Sequence, residues 1–189
     1  EGADGRMLGA DTLSTAIITP LYSQGNWSAL TTLLAETLEG RPDYALFIAD
    51  LYFGRENGVY TDNSTEAFRA YNCMDHSGEQ TPEEEAQTEA YLMENAPTIA
   101  PYWLGPNPCD QWPYPATGVR EPITAEGADP IVVVGTTNDP ATPYEWSVSL
   151  AEQLSSGVLV TRVGEGHTGY NKGNECVDDA VEAYLLDGT

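Results

Sequence analysis

Residues 131–134 read Ile-Val-Val-Val, an unbroken apolar and mostly β-branched run. Such a run suits a strand buried on both faces, which asks for a parallel sheet with helices packed over it. Gly135 and then Asn138-Asp139-Pro140 carry turn chemistry that should stop the strand. Thr142-Pro143-Tyr144-Glu145 is a helix start, with Thr142 as N-cap, Pro143 at the first helical position and Glu145 completing a capping box. The helix should run to about Leu154 and end at Ser155-Ser156-Gly157, before a second strand over residues 158–163, Val-Leu-Val-Thr-Arg-Val. Strand, helix, strand predicts a right-handed parallel crossover.

In parallel sheets the functional loops lie beyond the carboxyl ends of the strands. Asp139 and His167 each stand just past such an end, so they should be neighbours in space. An Asp that accepts the Nδ1 proton of a His fixes the tautomer whose Nε2 is free to take a proton from a nucleophile. The nucleophile is the missing member: no Gly-x-Ser-x-Gly occurs in these 189 residues.

The stretch Gly135-Thr136-Thr137-Asn138-Asp139-Pro140-Ala141-Thr142-Pro143, then Gly164-Glu165-Gly166-His167-Thr168, Cys176-Val177 and Ala183-Tyr184-Leu185-Leu186-Asp187-Gly188, resembles the carboxyl-terminal region of secreted tripeptidyl aminopeptidase-like serine peptidases. These are α/β-hydrolases with a triad in the chain order Ser, Asp, His. The likeness is strong from about residue 122 to 188 and looser before, where the family carries helical lid segments. It implies Asp139 as triad acid, His167 as triad base, and an internal disulfide between Cys73 and Cys109, with Cys176 pairing beyond the present carboxyl terminus. It also implies a peptide substrate with a free amino terminus, held by an acidic residue that the sequence does not single out, and a secreted or cell-surface location. No cofactor and no metal are called for.

Composition bounds the partners. Lys and Arg number 7 against 30 Asp and Glu, a formal net charge of -23, which argues against nucleic acid or anionic lipid as a partner. An acidic, soluble surface is the ordinary reading; a field that draws in cationic ligands is the functional one. No apolar run reaches the roughly 18 residues of a membrane span. An odd cysteine count, Cys73, Cys109 and Cys176, leaves a free thiol or one with an outside partner. Their spacing, without Cys-x-x-Cys or His-x-Cys, argues against structural zinc. The first residues are not a signal peptide.

From the amino terminus, apolar spacing predicts about three helices over residues 8–54, with Asp11 a cap, Pro20 a stop, and Gly40 and Pro42 a break. Ordinary helical core accounts for them, and the resemblance suggests a lid. Residues 56–64 form a polar seam, so the domain reading is a lid or cap segment over 1–64 and the carboxyl-terminal portion of an α/β-hydrolase core over 65–189. Residues 67–73 alternate loosely and read as a short strand. His76 follows Asp75, but adjacent residues of an extended segment face opposite ways, and a structural role is expected for His76. Thr81-Pro82-Glu83-Glu84 repeats the cap pattern and predicts a helix from Pro82 to about Asn95. The long Pro- and aromatic-rich connection over 96–122 should be functional or pinned, its aromatics a substrate wall or packing for the lid. Residues 176–186 predict a final amphipathic helix.

The fold class expected is therefore α/β, the carboxyl-terminal part of an α/β-hydrolase with helical lid segments before it. Two clear strands are a thin sheet for a run such as 131–134, which needs hydrogen-bonded neighbours and apolar cover. The remaining strands and the serine are expected from an amino-terminal half preceding Glu1, and the chain alone should be inactive. A non-catalytic binding module and an esterase of the same fold are the alternatives, since fold does not fix chemistry.

Overall fold

The computed structural model describes residues 1–75, 80–105, 107–118 and 121–188; His76 lies outside the described residues. Two compact units make up the chain. The first comprises Glu1–Leu8, Thr12–Ala49 and Pro122–Thr189, and the second Gly9–Asp11 and Asp50–Glu121.

In the first unit, helices α1 (Ala10–Leu21, its first two residues counted with the second unit), α2 (Trp27–Leu38) and α3 (Asp43–Tyr52, which runs on past Ala49) follow the spacing of their apolar residues. A turn of 3-10 helix, Gln24–Asn26, separates the first two. Ala16, Leu33, Ala45, Leu46, Ile48 and Ala49 are buried. Asp43, opening α3, accepts a hydrogen bond from the Ala3 N–H at 2.6 Å and so ties down the amino terminus.

The second unit begins with a two-strand hairpin, β1 (Arg55–Glu56) and β2 (Val59–Tyr60), paired antiparallel. Its turn is Asn57-Gly58 with φ of 50° and 82°, the double left-handed turn whose twist suits a tight hairpin. Helix α4 (Ser64–Asp75) stands where a strand over 67–73 is expected, and that reading is corrected. The burial pattern is helical: Phe68 and Tyr71 are exposed, while Ala67, Ala70, Cys73 and Met74 carry the inward stripe. Asp62 accepts the Ser64 N–H at 2.9 Å and starts the helix. Helix α5 (Pro82–Asn95) opens on the expected capping box: the Glu84 N–H reaches the Thr81 hydroxyl at 3.3 Å and the Thr81 N–H reaches the Glu84 carboxylate at 2.8 Å. A short α6 (Ala100–Trp103) follows.

Back in the first unit, β3 (Ile131–Asn138), α7 (Tyr144–Gln153) and β4 (Gly157–Glu165) form the expected strand–helix–strand, the two strands parallel and in register from Ile131↔Gly157 to Thr136↔Arg162. Gly135 does not stop β3. It lies within the strand, and a Cβ there would come 2.8 Å from Ser147 Cβ and 2.9 Å from the Tyr144 ring, so its bareness lets α7 pack on the strand. Val133 is buried while Ile131, Val132 and Val134 are half-buried, because two strands alone do not cover both flanks of such a run. Helix α8 (Glu175–Asp187) packs on β4, with Val177 buried, Asn174 capping its amino end and Gly188 in the left-handed region at its carboxyl end. Cys176 on its first turn is an exposed free thiol. No helix among the described residues is long and apolar enough to cross a membrane.

Cys73 on α4 is bonded to Cys109, pinning the proline-rich connection to the second unit across a sequence separation of 36. The Thr117 N–H adds a hydrogen bond to the Met74 carbonyl at 2.8 Å. Constraint of so long a loop in the unfolded chain makes the bridge worth about 3–4 kcal/mol. Reduction, or Cys109→Ser, is expected to lower the stability of this unit by that amount in denaturant titrations.

Candidate active site

Strand β3 ends in Thr136-Thr137-Asn138, Asp139 follows it, and each of these four side chains grips either the last residues of β4 or the segment beyond them. Thr136 Oγ1 donates to the Thr168 carbonyl at 3.0 Å, which satisfies a hydroxyl on a residue only 2% exposed. Thr137 Oγ1 accepts the Gly164 N–H at 3.1 Å and faces the Gly164 carbonyl at 3.3 Å. Asn138 Nδ2 donates to Glu165 Oε1 at 2.8 Å. Asp139 then meets His167, with Nδ1 3.0 Å from both Oδ1 and Oδ2. The two residues singled out in the sequence as acid and base are brought together at the ends of neighbouring parallel strands.

A register irregularity makes this meeting geometric. Thr136 pairs with Arg162 but Asn138 pairs with Glu165, so β4 spends one more residue than β3 over that step. An extra residue on one strand bends it and re-aims the side chains beyond. Tight backbone then carries the chain around His167: Gly166 has φ 95° and Thr168 φ 67°, both left-handed. For a β-branched residue such as Thr168 this is a strained conformation, held here by its N–H on Asp139 Oδ2 at 3.1 Å and its carbonyl on Thr136. Gly169 follows because the loop lies directly on β3, where a Cβ would fall 2.4 Å from Val134 Cγ1.

Asp139 is held more tightly than a paired His alone would require. Its Oδ1 accepts the N–H groups of Ala141 and Thr142, each at 2.9 Å, and its Oδ2 accepts the Thr142 hydroxyl at 2.9 Å as well as the Thr168 N–H. Thr142 thus serves the carboxylate. It does not cap α7, where Pro143 is the cap residue and no side-chain cap bond forms, and the capping box expected there is absent. The Asp139 side chain is 3% exposed. Burial alone would push its carboxyl upward, but the N–H groups of Thr142, Ala141 and Thr168 and the His167 ring outweigh it and pull the pKa down to about 2.

An ionised carboxylate only accepts, so the proton shared with His167 sits on Nδ1 and Nε2 keeps its lone pair. Nε2 has no hydrogen-bond partner among the described residues, and the side chain is 30% exposed. Such an imidazole can accept a proton from a hydroxyl and later return it. The other histidine, His76, for which a structural role is expected, lies outside the described residues. Sequence reading missed the clamp of Thr136, Thr137 and Asn138, although three polar residues ending an otherwise buried strand are the signal for it. No cluster of three or more metal-ligating side chains occurs among the described residues.

A carboxyl depressed from an ordinary 3.8 to about 2 stabilises the fold fully above the ordinary value, and the contribution fades as pH falls through about 2. Asp139→Asn is therefore expected to cost about 2 kcal/mol near pH 6, and the gap to the parent should shrink near pH 2, in urea unfolding. Gly169→Ala is expected to cost about 1–3 kcal/mol through the clash with Val134, read the same way.

Comparison with known proteins bears on this geometry. Residues 96–189 match the family described as TAP-like protein. The chain is 38% identical over 192 residues to Carboxylesterase B of Mycobacterium tuberculosis, covering 99% of this chain and 37% of that protein. It is 39% identical over 180 residues to Serine protease Hip1 of the same organism, covering 91% and 34%. Over 92 residues, 48% of this chain and 17% of the relative, it is 34% identical to Tripeptidyl aminopeptidase of Streptomyces lividans. The chain thus spans little more than a third of the length of the relatives it matches. With a parallel strand pair and its crossover helix inside the matched region, residues 96–189 are a TAP-like domain of the α/β-hydrolase family.

Proposed function

We propose that this chain supplies the acid and base of a serine hydrolase that cleaves peptide bonds near a free amino terminus. The observation that carries the reading is the bidentate approach of His167 Nδ1 to the buried Asp139 carboxylate, at the loop ends of adjacent parallel strands. In this reading a serine on a strand-to-helix elbow, contributed by residues outside 1–189, attacks the substrate carbonyl. His167 Nε2 takes its proton and then delivers it to the leaving amine, while Asp139 holds the ring and offsets the imidazolium charge. Oxyanion donors come from the same outside segment. The open edges of the β3–β4 pair, and exposed apolar side chains such as Trp146 and Val163, support a segment that completes the sheet. Helices α1 to α3 serve as the lid in this reading, within the cap segment over 1–64 that precedes the core portion over 65–189. The names of two relatives, a serine protease and a tripeptidyl aminopeptidase, support a peptide substrate. The disulfide supports an oxidising, extracytoplasmic location.

A second reading, an esterase of the same fold, is favoured by the relative named Carboxylesterase B, which matches 99% of this chain. Turnover of aminoacyl amides against simple esters by the complete hydrolase separates the two. In that protein His167→Ala is expected to lower kcat/KM by about 10³-fold or more, and Asp139→Asn by about 10²–10⁴-fold. A loss below about threefold at His167 would sink the assignment. His76→Ala should change turnover little, and a comparable loss there would transfer the base to His76.

A further inference from the structure

The His167 loop is also held by a residue far from the strand–helix–strand segment. The His167 N–H donates to the Tyr22 carbonyl at 2.9 Å. The Tyr22 ring meets the imidazole edge-on, with centroids 4.9 Å apart and planes at 70°. Gly166, at φ 95°, lies so close that a Cβ there would come 2.8 Å from the same carbonyl. A hydrogen bond from the His167 N–H and the close approach of Gly166, both at the Tyr22 carbonyl, and a ring contact from its side chain thus converge on the one residue that follows α1.

Asp139 binds only the Nδ1 corner of the ring. A ring tethered at one corner still rocks about that tether, and rocking swings Nε2, the atom that must meet the nucleophile. A perpendicular aromatic neighbour blocks this motion without competing for either nitrogen, since edge-on packing is the favoured arrangement of two rings and uses no lone pair. The hydrogen bond from the His167 N–H to the Tyr22 carbonyl fixes the backbone from which the ring hangs. We propose that Tyr22 is a positioning residue for His167, holding the imidazole so that Nδ1 stays on Asp139 and Nε2 keeps one direction. The proposal rests on the role given to His167 above.

The test uses the hydrolase that contains this chain together with its serine-bearing segment. Tyr22→Leu and Tyr22→Met remove the ring and keep an apolar side chain, while Tyr22→Phe keeps the ring. Both ring-less variants are expected to lower kcat by about tenfold or more with KM changed less than about twofold, because misplacement of a catalytic group acts on the chemical step. Tyr22→Phe should restore kcat to within about twofold of the parent. By proton NMR, the downfield Nδ1 proton of His167 should be broadened by exchange in the ring-less variants and sharp in Tyr22→Phe. A ring-less variant that keeps kcat and the sharp Nδ1 proton overturns the proposal. So does a loss confined to KM, an equal loss in Tyr22→Phe, or loss of the folded state in both ring-less variants, which would make Tyr22 core packing alone. His167→Ala in the same protein separates the two failures: if it abolishes turnover while Tyr22→Leu does not, only the Tyr22 proposal falls. If it leaves turnover intact, the reading of the site falls, and the Nδ1 proton still decides whether Tyr22 holds the ring.

Discussion

A carboxylate that has left water must find its hydrogen bonds in the protein, and Asp139 finds all of them in two loops. Donors from Ala141 and Thr142 come from its own turn, and donors from His167 and Thr168 come from the segment after β4. An unpaired buried charge is among the costliest features a fold can carry. The two loops therefore cannot separate without exposing that cost, and the imidazole geometry is a by-product of solvating the acid. The strained Thr168 belongs to the same account, for its left-handed backbone is held by its N–H on the carboxylate and its carbonyl on Thr136.

Around this charge the strand end works as a graded clamp. Thr136 is buried and fully bonded, Thr137 is half-buried, and Asn138 binds Glu165 in the open, so the grip passes from core to surface over three residues. Glycines supply the closeness that the clamp needs: Gly135 lets α7 lie on β3, and Gly169 lets the loop lie on Val134. Neither acts through a turn. Both are positions where one added carbon would meet a neighbour that cannot move away.

Much of this was legible in the sequence, and the exceptions have physical causes. The order strand, helix, strand and the proximity of Asp139 to His167 followed from one β-branched run and from the side on which parallel sheets place their loops. The capping box at Thr81 was legible because its two hydrogen bonds are local. The same grammar misled at Thr142, where a buried carboxylate three residues earlier competes for the hydroxyl and the amide, and a charged acceptor outbids a helix end. Helix α4 reads as a strand because seven residues of loose alternation are too few to separate the two periods, and its inward stripe is made of small residues with Cys73 while Phe68 and Tyr71 face solvent. The extent of β3 was hidden by Gly135, whose closeness to α7 is a tertiary fact. Tyr22 carried no local signal at all, since nothing in the helix that precedes it anticipates a histidine loop so far along the chain.

The register irregularity between β3 and β4 has a consequence for how such a chain can vary over time. Side chains in a strand alternate faces residue by residue, so a single deletion or insertion between Thr136 and Asp139, or between Arg162 and His167, would turn the clamping side chains of that strand end to the opposite face and take the acid or the base out of the register in which they meet. Substitutions there alter one contact; a change of length breaks the register on which all of them depend. Drift by replacement is open to this segment and drift by length is closed, so gaps among descendants of such a chain should gather in the exposed connections away from it, leaving the two strand ends as an unbroken ruler.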